Sequence, residues 1–109
     1  MLNALKPNLT LMTIEQTLQT EIEESKRWLN LETDQSTYKR DLQKRIELIN
    51  WVLENMRNPN IDICPLIESR MNEIIDVINQ TDSIFKADKL HSELMILDWI
   101  LYQVCINEK

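Results

Sequence analysis

Apolar residues recur three and four positions apart along most of this chain, in four separate runs. That spacing marks helices with one buried stripe. The first run is Leu11, Ile14, Leu18, Ile22, Ser25 and Leu29, and it predicts a helix over 13–31, with Trp28 at the edge of the stripe. Thr13 is its expected N-cap, with Gln16 three positions later as in a capping box. The second run, Tyr38, Leu42, Ile46, Ile49, Leu53 and Met56, predicts a helix over 35–57 capped by Asp34 or Ser36. The segment Arg57-Asn58-Pro59-Asn60 ends it. The third run is Ile63, Ile67, Met71, Ile74 and Ile78, in a helix over 64–79. Pro65 falls in its first turn, where a missing N–H costs nothing, and Asp62 caps it if it begins a turn earlier. The fourth run, Leu90, Leu94, Leu97, Leu101 and Val104, predicts a helix over 83–107 capped by Asp82.

Short connections between consecutive helices make antiparallel hairpins. The expected fold is therefore all-α: a four-helix up-down bundle of two hairpins, 13–57 and 62–107, in one domain spanning 1–109. Residues 1–12 carry Leu2, Leu5, Leu9 and Leu11. They are expected to pack on the bundle as a short helix broken at Pro7.

The two hairpins are related. Residues 33–56 align without a gap on 81–104, a shift of 48, with five of 24 positions identical. The identities are Thr33/Thr81, Asp34/Asp82, Leu42/Leu90, Trp51/Trp99 and Leu53/Leu101. Seven more pairs are close in chemistry, among them Ile46/Leu94, Asn50/Asp98 and Val52/Ile100. One helical unit is thus used twice.

The paired tryptophans lie off the core stripe. At about 100° per residue, Trp51 points roughly 200° from Ile49, onto an outer face with Arg40, Lys44, Glu47 and Asn55. The matching face of the fourth helix holds Met95, Trp99, Tyr102 and Ile106, a second apolar stripe. Three fates are open to it: cover by the N-terminal leucines, contact across a two-fold axis in a homodimer, or docking of another protein. Trp, Tyr and Met dominate interface energetics. The expected protein-binding residues are Trp51, Met95, Trp99, Tyr102 and Ile106.

Composition narrows the alternatives. Gly is absent, which disfavours β-hairpin turns and phosphate-cradling loops. The net charge is −6, from 12 basic and 18 acidic residues, and neither half is basic. No nucleic-acid partner is expected. An acidic surface mimicking DNA, as an inhibitor, is a further alternative. Cys64 and Cys105 have no metal-binding spacing, and the expectation is two free, reduced thiols in the cytoplasm. No apolar run approaches the roughly 20 residues of a membrane span, and no signal-peptide pattern opens the chain, so no membrane partner is expected.

Catalytic constellations are sparse. His91 is the only histidine, and its counterpart in the first unit is Gln43, so a surface or structural role is expected. Neither cysteine has a histidine nearby to activate it, and Ser25 suits close helix packing. The pattern Glu21-x-x-Glu24 followed by Glu47-x-x-Asn50 resembles that of the all-α nucleoside triphosphate pyrophosphatases. The resemblance covers the first two helices. It implies Glu21, Glu24, Glu47 and Asn50 as magnesium ligands and a magnesium-dependent phosphohydrolase as the alternative function. By helical phase, Glu21 faces inward whereas Glu47 points about 160° from the core stripe. The leading expectation is a non-enzymatic interaction protein without cofactor or metal: an adaptor, inhibitor or accessory subunit. Its partner is another protein or a second copy of itself.

Overall fold

The computed structural model describes residues 6–32 and 37–106, with side chains from Ile14 onward. It has four α-helices: α1 Lys6–Leu31, α2 Thr37–Met56, α3 Ile63–Gln80 and α4 Ile84–Leu101. A π-helical turn, Tyr102–Ile106, continues α4. α1 packs on α2 and α3 on α4, and the two hairpins meet chiefly through α2 and α4. This is the expected four-helix bundle of two hairpins. No strand occurs among the described residues.

The first helix begins earlier than the spacing predicts. It starts at Lys6 and runs through Thr13, so Thr13 is not its N-cap. Pro7 does not break it, because a proline in the first turn lacks only an N–H that has no intrahelical partner there. Residues 6–12 are thus a continuation of α1 and not a separate segment. The packing expected of Leu2, Leu5, Leu9 and Leu11, and the caps expected at Asp34 and Ser36, lie outside the described residues or side chains.

α3 starts at Ile63 with Asp62 in the cap position, though the Asp62 side chain makes no capping hydrogen bond. For α4 the cap is Ser83 and not Asp82. The Ser83 Oγ accepts a hydrogen bond from the Lys86 backbone N–H at 3.1 Å, satisfying one of the orphan donors of the first turn. Between the hairpins, the Asn60 N–H donates to Asn58 Oδ1 at 3.0 Å and the Ile61 N–H to the Asn58 carbonyl at 3.1 Å. Asn58 therefore reverses the chain with its own side chain.

The core confirms the repeat in three dimensions. The most buried positions of α2 and α4 include the matched pairs Leu48/Ile96, Ile49/Leu97 and Val52/Ile100. The stripe spacing predicts Ile49 and Leu97 but misses Leu48, Val52, Ile96 and Ile100. These central helices are covered on more than one side, so their buried arc is wider than one stripe. Tyr38, expected in the stripe, is exposed. The outer helices repeat as well, at a shift of 49: Ile14, Leu18, Ile22, Ser25 and Leu29 correspond in spacing to Ile63, Ile67, Met71, Ile74 and Ile78. Ser25 is thus the polar member of an otherwise apolar stripe. It is 2% exposed, and its Oγ has no hydrogen-bond partner.

The cysteines are not free. Cys64 at the start of α3 and Cys105 in the π-helical turn form a disulfide, with Cα atoms 6.0 Å apart and a sequence separation of 41. Sequence spacing cannot show such a pair, because the antiparallel course of α3 and α4 brings the two ends together. The 81–83 turn joins the hairpin at one end and the disulfide closes it at the other.

The described molecule measures 55 × 34 × 21 Å, with a radius of gyration of 15.8 Å. A globular domain of this length has about 13 Å. The short dimension is about two helix diameters, so the layers are thin and their outer faces meet solvent.

Two tests follow from this packing. Closing a loop of this size contributes about 4 kcal/mol in the chain-entropy model. Cys64→Ser is expected to lower the melting temperature by on the order of 15–20 °C, and the denatured, unreduced wild type to show no titratable thiol. Ser25→Ala removes a buried hydroxyl that has no partner. It is expected to leave stability unchanged or raise it by up to about 1 kcal/mol in urea denaturation, whereas a loss above that would mean the hydroxyl is satisfied.

Candidate functional site

The two tryptophans occupy the same position in the repeat but different surroundings. Trp51 is half-buried in the seam between the hairpins. The Arg70 guanidinium of α3 lies over its ring, 4.7 Å from the centroid. Arg70 also pairs with Glu93 of α4 at 3.3 Å. A cavity of about 430 Å³ beside Trp51 is lined from the second hairpin by Leu66, Ile74, Val77 and Leu90, among others. The second hairpin covers the outer face of α2 predicted by helical phase at Trp51, while Glu47 of the same face stays exposed. Arg40 and Lys44 of the same face line a cleft against α4 and its N-terminal turn. There the Phe85 ring lies 5.5 Å from the Arg40 guanidinium and 5.9 Å from the Lys89 ammonium.

Trp99 does not line the seam cavity beside Trp51. Its side chain is half-buried against the core of its own unit. It lines a shallow groove of about 520 Å³ between α3 and α4, with Met71, Ile75, Leu94, Met95, Asp98 and Tyr102. Met95 is 74% exposed and Tyr102 50%. The structure thus brings together three of the five predicted binding residues: Met95, Trp99 and Tyr102. Trp51 lies elsewhere, in the seam. Ile106 is 54% exposed but does not line the groove. The physical reason is the π-helical turn, whose i→i+5 pattern uses more residues per turn and rotates Ile106 off the α-helical stripe.

Sequence reasoning missed the α3 wall of this groove. Met71 and Ile75 are one turn apart, and Ile75 directly follows the core residue Ile74. An apolar residue one turn after the stripe residue Met71 is the signal that finds this wall.

The carboxylates do not converge. Glu21 pairs with Arg45 of α2 at 3.1 Å, Glu24 with Arg27 at 2.7 Å, and Glu47 with Lys44 at 3.2 Å. Asn50 is exposed. The four residues that the pyrophosphatase resemblance implies as ligands are thus directed to separate places. Among the described residues, no group of three or more His, Cys, Asp and Glu side chains is placed to hold a metal ion. His91 is exposed on α4. No described helix is long and apolar enough to cross a membrane.

Comparison of the chain with protein-family models, with curated proteins and with solved structures finds no match in any of the three.

The Trp51 seam makes a specific energetic prediction. Arg70→Leu removes the cation over Trp51 and leaves the Glu93 carboxylate, only 14% exposed, without its ion-pair partner. The expected cost is about 1–3 kcal/mol in chemical denaturation. The double variant Arg70→Leu, Glu93→Leu is expected to recover most of it. A single variant as stable as wild type would show that the pair does not support the seam.

Proposed function

We propose that the chain is a non-enzymatic interaction module that docks a protein partner through the outer groove of its second hairpin. The observation that carries this reading is the exposure of Met95 beside Trp99 and Tyr102, in a groove whose other wall is Met71 and Ile75. A monomeric protein of this size has little reason to leave two aromatics and two methionines in one apolar channel. The channel runs between two helices, the shape that accepts an amphipathic helix by its i, i+3 and i+4 side chains. Asp98 on the groove wall supplies a polar group for orientation.

Anchoring rests on Trp99 and Met95, with Tyr102 offering a hydroxyl beside an apolar ring. The disulfide holds α3 and α4 together at the end opposite their turn, which preorganises both walls. Adaptor, inhibitor and accessory-subunit roles all use such a surface. The compartment follows the disulfide: with no free thiol pair to argue for the cytoplasm, an oxidising environment suits the bond better.

A photo-crosslinking amino acid placed at Met95 or Ile75 tests the docking face in the protein's native extract. The expected result is a discrete adduct from each groove position, abolished by Tyr102→Asp, and none from a control at Asn60. Equal labelling at the control, or none from the groove in folded protein, would overturn the reading.

A further inference from the structure

Charge is unevenly placed on this molecule. The chain carries 12 basic and 18 acidic residues, a net charge of −6. Yet the cleft of about 580 Å³ between α2 and the first turns of α4 is rich in cations. Arg40 and Lys44 line it from α2, and Lys86 and Lys89 from α4. Its two carboxylates are Asp41 and Glu93. Lys44 is paired with Glu47 at 3.2 Å, and Glu93 with Arg70 at 3.3 Å. Arg40, Lys86 and Lys89 have no ion-pair partner among the described residues. Three cations without a partner thus share the cleft with a single unpaired carboxylate.

Such a cluster is costly by itself. The Arg40 guanidinium and the Lys89 ammonium stand 5.5 and 5.9 Å from the same Phe85 centroid. Like charges gathered at one ring repel, and at this range salt screens them only in part. The ring face offsets some of the cost by attracting a cation. Phe85 is nonetheless 67% exposed. Phe85 and Lys86 also lie in the first turn of the 18-residue α4, where the positive end of the helix dipole adds to the same field. The repeat does not account for the cluster. Under the shift of 48, Phe85, Lys86 and Lys89 correspond to Thr37, Tyr38 and Asp41, and Arg40 corresponds to Asp88. The duplicated unit supplies neither the ring nor the cations, which come together only where α2 meets α4.

The cleft suits an anion with an apolar body. A phosphate accepts bidentate hydrogen bonds from a guanidinium and further ones from two ammonium groups. Side chains would do here what a glycine-rich loop does with backbone N–H groups. Phe85 and Leu90 give the cleft an apolar part against which a flat ring packs. The volume falls in the range of roughly 300–1,000 Å³ that holds small ligands. A nucleic-acid strand fits less well, because it needs an extended basic track and these cations are confined to one cleft of an acidic molecule.

We propose that this cleft binds a small phosphate ester with a flat aromatic body, the chemistry of a nucleotide. Arg40, Lys86 and Lys89 hold the phosphate, and the aromatic body lies against Phe85. The ligand bridges α2 and α4 and so ties the two hairpins together beside the Trp51 seam. None of the residues lining the Trp99 groove lines this cleft, so the ligand and a docked protein do not compete for side chains.

Isothermal titration calorimetry on the oxidised full chain tests this with ADP, pyrophosphate and adenosine, at physiological ionic strength and with a chelator present. ADP is expected to bind one-to-one and saturably, and adenosine not measurably. Arg40→Gln and Lys89→Gln are each expected to weaken ADP about tenfold, the loss of one charge-assisted contact. Phe85→Ala is expected to weaken ADP by about tenfold and pyrophosphate far less, because only ADP has a base to stack. Lys26→Gln removes an exposed cation of α1 outside the cleft and is expected to change neither affinity. Circular dichroism checks the fold of each variant. Backbone amide shifts in wild type locate the ligand without any substitution: ADP is expected to move Phe85, Lys86 and Lys89 and to leave Trp99 in place. No saturable ADP binding to folded wild type would overturn the proposal, as would amide shifts lying outside the cleft. Equal weakening by Lys26→Gln would overturn it too, by showing general attraction of anions. Unchanged ADP affinity in Phe85→Ala would leave a bare anion site and rule out the aromatic ester.

Discussion

A thin helical hairpin buries its internal stripe against its own second helix, but the back of that helix stays open unless something packs on it. Everything else in this structure depends on how that open back is covered. In the first hairpin the cover is the second hairpin, which meets it chiefly through α2 and α4 and lays Arg70 of α3 over Trp51. Indole is large and apolar, so leaving it in water forfeits on the order of 2–3 kcal/mol. The guanidinium adds attraction to the ring face and, through Glu93, ties α3 to α4 at the same place. One residue thus couples the two hairpins and braces the second.

The second hairpin has no such cover on α4 among the described residues. Its inner helix is apolar on nearly every side, which a helix at the edge of a thin molecule cannot satisfy from within. The exposed Met95 and Tyr102 are the remainder. A functional surface here is not a cluster of reactive groups. It is the apolar groove that the described residues leave open on the second hairpin.

The disulfide changes how the second hairpin is held. A pair of helices joined only by the 81–83 turn opens most easily at its far end, where Cys64 and Cys105 sit. The covalent tie keeps the groove walls at a fixed spacing without adding apolar area. The first hairpin has Glu15 and Arg57 at the corresponding positions. Its cohesion comes from α1, the longest helix, along α2.

The chain pattern by itself determined the helical class, the four elements, the internal stripes and the repeat. These follow from local periodicity, and a stripe such as Ile14, Leu18, Ile22 reads the same on paper as in the core. Helix ends were less legible. Pro7 reads as a break but serves as a first-turn residue, and Asp82 and Ser83 are both acceptable caps until the backbone selects one. Tertiary structure alone decided that Trp51 lies under Arg70 in the seam and Trp99 in the groove between α3 and α4, although the two occupy the same position of the repeat. It also joined Cys64 to Cys105, built the groove wall from Met71 and Ile75, and turned Ile106 aside. The reason is the same in each case: periodicity gives the direction of a side chain from its own helix axis, and only the packing of helices says what lies in that direction.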